Sequence, residues 1–156
     1  MKKIYLFFVF VLSIFSTKAF AADFYWTGKG SNSNYNSLQN WALGSVNGGT
    51  PTVAPGASDN VFFTDGATKF NVDFSQSNIV FNNFTSNSTT NDFAFRLTAP
   101  NGSSKTLTVN GVMNLSSRAS FSSSSSGDIS YVGSLILKNN PILNNNELAV
   151  YLVFNS

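Results

Sequence analysis

The chain has 156 residues, with nine Lys and Arg against seven Asp and Glu, and it contains no His and no Cys. Those two absences exclude Ser-His-Asp and Cys-His catalysis, the usual zinc sites and disulfide bonds. Three of the nine basic residues lie in a segment that we expect to be removed, which leaves six basic against seven acidic residues and no basic surface that would indicate nucleic-acid binding.

Residues 1–21 have the features of a signal peptide. Lys2 and Lys3 give a positive start, residues 4–15 form an apolar run, and Ala19 and Ala21 provide a small-x-small cleavage site. The run is shorter than the roughly 20 residues that a membrane-spanning helix needs. We therefore expect cleavage after Ala21, a secreted or cell-surface protein, and no stable membrane span after cleavage.

Residues 22–59 are predicted to form an N-terminal capping region. A short strand at 23–26 is followed by Gly-, Ser- and Asn-rich sequence in which Pro and Gly argue against regular elements. Trp26 and Trp41 lie in this polar sequence, and each has on the order of 150–250 Å² to bury. We expect both rings to cover the end of a stack of strands, and Asp59 to bond backbone N–H groups of the turn before the first strand. Trp26, Trp41 and Asp59 are the predicted structural cap.

Residues 60–156 alternate short apolar runs with polar turns, and no segment has a sustained helical repeat. The sequence therefore predicts an all-β fold with almost no helix and with the Phe side chains as core residues. The runs predicted as strands are 61–64, 70–74, 79–84, 93–98, 106–109, 112–115, 129–132, 134–137 and 148–154.

Two architectures fit these runs: a parallel solenoid and an antiparallel β-sandwich. The similar run lengths and the Asn-rich turns favour the solenoid, because stacked amides about 4.8 Å apart can form hydrogen-bonded ladders. Asp-Gly or Asn-Gly pairs at 65–66, 101–102 and 110–111 are typical of hairpins and favour the sandwich.

A family resemblance adds to this interpretation. The residues that carry it are Trp26, Gly28, Asn40, Trp41, Pro55, Gly56, Asp59, Asn60, Val61 and Phe63. Their order resembles the start of many bacterial secreted β-helix proteins, which include autotransporter passenger domains and related adhesins. The resemblance implies a right-handed parallel β-helix with an N-terminal aromatic cap, exported to the cell surface. It also implies that residues 60–156 are the first turns of a longer helix, truncated at the C-terminus.

The sequence offers no evident chemistry, so we expect no catalytic site, no bound metal and no cofactor. The carboxylates are spread singly along the chain and are typical of turn residues. Asp59, Asn60 and Asp65 come nearest to a calcium-binding set.

We expect a non-catalytic, adhesin-like or passenger-like surface protein whose partners are surface glycans or the surface of a host or neighbouring cell. The apolar residues 148–154, from Leu148 to Phe154, indicate a truncated chain, an end-to-end self-association contact, or a final strand buried on both faces.

Two alternatives remain open. A carbohydrate-binding module would expose Trp26, Tyr35 or Trp41 as a flat strip. A polysaccharide lyase or hydrolase would bring carboxylates together in a groove, for instance with Asp73 beneath Asp92.

Overall fold

The structure is a computed structural model that describes residues 21–74, 78–97, 104–116, 118–122 and 132–137. The predicted signal peptide up to residue 20, the 101–102 turn and the apolar segment 148–154 lie outside these ranges. Within them the fold is all-β, with a single 3-10 helix of three residues at Leu38–Asn40. The prediction of an all-β chain with almost no helix is therefore confirmed for the part of the chain that the structure describes.

The strands are short and follow one another closely along the chain. They are β1 (Asp23–Trp26), β2 (Trp41–Leu43), β3 (Asn60–Phe63), β4 (Asn71–Asp73), β5 (Ile79–Phe81), β6 (Asn83–Ser86), β7 (Phe93–Arg96), β8 (Ser104–Val109), β9 (Met113–Leu115), β10 (Ala119–Ser122) and β11 (Val132–Leu137).

These strands form three sheets. Sheet 1 has the order β2-β1-β3-β6-β9, sheet 2 the order β4-β7-β10, and sheet 3 the order β5-β8-β11. From β3 to β11 the chain passes three times through sheets 1, 2 and 3 in that order. All pairings between these nine strands are parallel, and among the described strands antiparallel pairing occurs only between β1 and β2. An antiparallel sandwich is therefore not what the described strands form.

The core lies on the inner side of the sheets, where aromatic rings from successive strands meet. Burial alternates along the strands, as in β3, where Val61 and Phe63 are buried and Asn60 and Phe62 are not. The Phe63 ring lies 4.9 Å from that of Phe84 and 4.8 Å from that of Phe95, and Phe95 lies 4.9 Å from Phe121. The prediction that the phenylalanines form the core is confirmed for these residues.

The two dipeptides within the described ranges that favoured hairpins do not form them. Asp65-Gly66 joins β3 to β4, and Asn110-Gly111 joins β8 to β9, so each connects strands of different sheets. An Asp-Gly or Asn-Gly pair closes a hairpin only where the two flanking strands pair with each other. Here the buried apolar residues of the flanking strands belong to one core cluster, so the chain turns a corner instead of folding back.

The run predicted as one strand at 79–84 is two strands in two sheets. Phe81 and Phe84 are both fully buried although they are three residues apart, which breaks the period of two. Asn82 lies between them, and its backbone N–H donates to the Asp59 carbonyl at 2.8 Å. The chain therefore changes sheet at Asn82.

Candidate functional site

The N-terminal cap is centred on two tryptophans that face each other across paired strands. Trp26 of β1 is the register partner of Trp41 in β2 and of Phe63 in β3. Trp26 is 0% and Trp41 1% exposed, and their rings meet edge to face at 5.2 Å. The Trp26 indole N–H donates to the Lys69 carbonyl at 2.8 Å, and that of Trp41 donates to the Tyr35 carbonyl. Both rings lie at the N-terminal end of sheet 1 and are enclosed.

Asn40 holds the loop that separates the two tryptophans. Its side chain is fully buried; its carbonyl accepts from the Gly30 N–H at 2.8 Å, and its amide group donates to the carbonyls of Asn32 and Asn34 at 3.0 and 2.9 Å. Its backbone carbonyl also accepts from the Thr27 N–H at 2.7 Å. One amide therefore satisfies three loop groups that would otherwise lie unpaired beside the core.

The same loop covers the first strand of sheet 2. Asn34 forms a parallel bridge with Asp73, whose N–H donates to the Ser33 carbonyl at 2.8 Å and whose carbonyl accepts from the Tyr35 N–H at 3.1 Å. The Tyr35 ring lies 5.9 Å from that of Phe74. The cap thus pairs with β3 of sheet 1 through β1, and with β4 of sheet 2 through this loop.

Asp59 bonds the turn that precedes β3, as the sequence suggested. Its two carboxylate oxygens accept from the backbone N–H groups of Ala22 at 3.1 Å and Gly56 at 2.9 Å. The carboxylate therefore joins the start of β1 to the turn at Gly56.

Asp65, at the corner between sheets 1 and 2, is surrounded by donors from the connection between β6 and β7. It accepts from the hydroxyls of Ser88, Thr89 and Thr90, and from the backbone N–H groups of Thr89 at 2.9 Å and Thr90 at 3.1 Å. The Ser88 hydroxyl and then the two donors of Thr89 are the main reasons why the pKa of Asp65 lies well below its usual range. Its oxygens are thus committed to protein donors.

The other described carboxylates do not converge. Asp92 forms an ion pair with Arg118 at 2.8 Å on the surface. Asp73 has Arg96 as its register neighbour in β7, so the stacking of Asp73 beneath Asp92 that the enzyme alternative called for does not occur. No three His, Cys, Asp or Glu side chains are placed to share a metal ion in the described ranges.

The aromatic residues exposed on sheet 1 are not the ones that the carbohydrate-binding alternative named. Trp26 and Trp41 are buried in the cap and present no flat surface. The half-exposed aromatic rings of sheet 1 are Tyr25 and Phe62, which are register partners in β1 and β3 and stack at 4.7 Å with an angle of 14° between their planes.

A row of polar side chains runs beside this aromatic pair. The Asn60 amide donates to the Asp23 carboxylate at 2.8 Å, the Asn83 amide donates to the Asn60 carbonyl oxygen at 2.8 Å, and the Asn83 carbonyl oxygen accepts from the Val112 N–H at 2.7 Å. We call Asp23, Tyr25, Asn60, Phe62 and Asn83 the outer face of sheet 1. A short amide ladder is present here, because the Asn60 side-chain oxygen accepts from the amides of both Asn82, at 3.0 Å, and Asn83.

Sequence reasoning missed the pairing of Tyr25 with Phe62. The available signal was the alternation itself: with Phe24 and Trp26 inward in β1 and Val61 and Phe63 inward in β3, the residues between them point outward. The parallel register that brings them together could not be read from the chain.

In the part of the chain described by the structure, no helix has the length and apolar character needed to cross a membrane. Comparisons with protein-family models, with curated proteins and with solved structures returned no match.

Proposed function

We propose that this chain is an exported, non-catalytic surface protein whose strands β3 to β11 wind as successive turns of a right-handed parallel β-helix. The observation that carries the proposal is the threefold passage through sheets 1, 2 and 3 with parallel neighbours throughout. A chain that repeats such a passage stacks one turn on the next, and crossovers between parallel strands are right-handed in about 98% of cases. The wound stack is a rigid rod that suits display at a cell surface.

The cap supports the same proposal. A stack of parallel strands leaves backbone groups and apolar side chains open at its first turn unless another segment covers them. Here β1 extends sheet 1 by one strand, β2 closes it in the antiparallel sense, and the loop around Asn34 pairs with β4. Together with the predicted signal peptide, this arrangement favours a chain in which the capped β-helix begins directly after the cleavage site.

The non-catalytic part of the proposal depends on how the carboxylates are used. Asp59 and Asp65 accept hydrogen bonds from backbone and hydroxyl donors, and Asp92 pairs with Arg118. General acid–base catalysis needs a group with a tuned pKa aimed at substrate. These side chains instead join neighbouring connections of the chain.

The outer face of sheet 1 is the surface on which we place a glycan partner. A sugar ring has an apolar C–H face and hydroxyl groups around its edge. The Tyr25–Phe62 pair offers apolar ring surface, and the adjoining Asp23, Asn60 and Asn83 offer acceptors and donors for hydroxyls. This face also favours the second candidate function, a carbohydrate-binding module, in which the same residues would hold a soluble polysaccharide.

The test is a binding assay of the chain from Ala22 onward on a glycan array and on bacterial and epithelial cells. We expect binding that falls at least tenfold in the double variant Tyr25→Ala, Phe62→Ala. The matched control is Asn71→Ala, an exposed residue on the outer side of sheet 2, and it should bind as the unaltered chain does. Binding that is unaffected by the double variant would remove this face from the proposal.

Catalysis is tested separately with pectin, alginate, hyaluronan and chitin in the presence of calcium, by assaying unsaturated products and new reducing ends. We expect no turnover. Turnover that disappears in Asp73→Asn or Asp92→Asn would overturn the non-catalytic proposal in favour of a polysaccharide lyase or hydrolase.

A further inference from the structure

The backbone nitrogen of Ala22 lies against an acidic side chain at the start of the cap. Ala22 N is 3.1 Å from Asp59 Oδ1, while Asp59 Oδ2 accepts from the Gly56 N–H at 2.9 Å. The Asn60 N–H in turn donates to the Ala22 carbonyl at 2.9 Å. Ala22 packs partly against the core, whereas Ala21 before it is exposed. The peptide bond at which we expect cleavage therefore follows an exposed residue, and its nitrogen is the atom that contacts Asp59.

Cleavage of that bond changes the charge of the donor. Hydrolysis adds one water across the Ala21–Ala22 peptide bond; Ala21 leaves as a carboxylate, and the Ala22 nitrogen becomes an α-ammonium group with three N–H donors. Before cleavage the contact with Asp59 is a neutral amide bonded to a carboxylate. After cleavage both partners are ionised, so the attraction between two opposite unit charges adds to the hydrogen bond that the carboxylate already accepts.

We propose that Asp59 is the binding site for the amino terminus that signal-peptide cleavage creates, so that processing itself completes the cap. The ion pair holds the start of β1 against the turn at Gly56 and thereby fixes β1 beside β3. This proposal depends on the export and cleavage proposed above, but it concerns a contact that the uncleaved chain makes only in a weaker form, with a neutral donor.

The described elements next to Ala22 carry no competing cation. On β1 the ionisable side chains are Asp23 and Tyr25, while β2 and β3 carry none, and the connection 44–59 contributes Asp59 alone. The Asp23 carboxylate bonds the Asn60 amide at 2.8 Å. The nearest opposite charge for a new ammonium group at Ala22 is therefore Asp59, and Asp23 adds to the negative potential there.

The pairing predicts a pH dependence with a definite sign. An α-amino group ordinarily has a pKa of about 7.7–8.0, and a carboxylate at hydrogen-bonding distance raises it in the folded protein. The stabilisation is then fully present below the unfolded value and is lost as the pH rises through the higher folded value.

The experiment uses the chain produced with Ala22 as its first residue, by removal of a tag that leaves no extra residue. NMR titration of the isotope-labelled Ala22 amino group should give a pKa of about 8.5 or above, and Asp59→Asn should return it to about 7.7–8.0. Asp23→Asn, which alters the neighbouring carboxylate, should change it less. Equal values for the unaltered chain and Asp59→Asn would overturn the proposed site.

A second comparison does not need the Asp59 variant to fold. The urea midpoint of the free-amine chain should decrease as the pH is raised from 7 to 9. The same chain with an acetylated Ala22 should show a smaller decrease. An identical fall in both would also overturn the site. The mass of the protein secreted by its host tests the processing independently. A first residue other than Ala22 would overturn the expected cleavage site. The pKa comparison then decides whether Asp59 can bind this amino group.

Discussion

Replacement of Trp26 with Ala is the sharpest single test of the cap. The side chain is 0% exposed, its ring meets that of Trp41 at 5.2 Å and that of Phe63 at 6.2 Å, and its indole N–H donates to the Lys69 carbonyl at 2.8 Å. The substitution therefore removes packing from both neighbouring strands and a hydrogen bond to the connection that follows β3.

The expected cost follows from these contacts. Truncating a buried Trp to Ala costs about 3–5 kcal/mol, and a buried carbonyl left without its donor costs about 1–3 kcal/mol. We expect Trp26→Ala to lie near the upper end of the first range. Trp26→Phe keeps a ring in the same place and loses the donor, so it should cost about 1–3 kcal/mol. Because a domain of this size is stable by about 5–15 kcal/mol, the Ala variant should lose a third or more of the total.

The measurement is urea unfolding, followed by far-ultraviolet circular dichroism and by the fluorescence of Trp41. Val53→Ala is the matched control, because this apolar side chain is 65% exposed and its loss should change the free energy of unfolding by no more than about 0.5 kcal/mol. A change below about 1 kcal/mol for Trp26→Ala would refute the capping role, since a ring that supports the first turn cannot be removed so cheaply.

Three further substitutions test other contacts of the cap and its corner. Asn40→Ala should lower the free energy of unfolding by about 1–3 kcal/mol in urea, because three loop groups lose their partner. Gly28→Ala should destabilise more than an exposed substitution such as Val53→Ala in the same assay, since Gly28 has φ of 63° and an added Cβ would lie 2.6 Å from Lys69 N. Asp65→Asn should lower the urea midpoint at pH 7; because the pKa of Asp65 is lowered in the folded chain, the difference from the unaltered protein should persist down to about pH 4 and shrink only in stronger acid, and a difference that vanished near pH 6 would contradict the hydrogen bonds described.

The fold class could be predicted because alternation with a period of two is visible in single strands. Val61 and Phe63 in β3, and Phe93 and Phe95 in β7, have the pattern of residues with one buried face. The run at 79–84 was misread because the corner at Asn82 has no Gly or Pro to mark it. Strand β10 was missed because Phe121 is its only large apolar side chain.

Pairing was harder to predict than strand position. Short strands with polar connections suit parallel and antiparallel sheets equally, and the Asp-Gly and Asn-Gly pairs favour one turn type only when the flanking strands are free to pair with each other. The burial of Trp26 and Trp41 followed from their size, but the roles of Asn40 and of the Tyr25–Phe62 pair depend on loop geometry and on register. Those depend on contacts between residues far apart in sequence.

Crosslinking at register positions tests the three parallel sheets most directly, because the chain has no Cys of its own. In-register neighbours on adjacent strands lie about 4.8 Å apart, within the range that a disulfide spans, whereas pairs shifted by two residues lie beyond it. One register pair that avoids the large core side chains is available in each sheet: Phe62 with Thr85, Asn71 with Ala94, and Val80 with the buried Thr108.

We predict that each of these three double-cysteine variants forms its disulfide in the folded protein, and that the shifted variant Asn71→Cys, Arg96→Cys does so far more slowly. Rapid crosslinking in all three in-register variants would support sheets that the chain enters in turn. Failure of the in-register pairs in two or more sheets, with the protein folded, would contradict the parallel arrangement and with it the proposed β-helix.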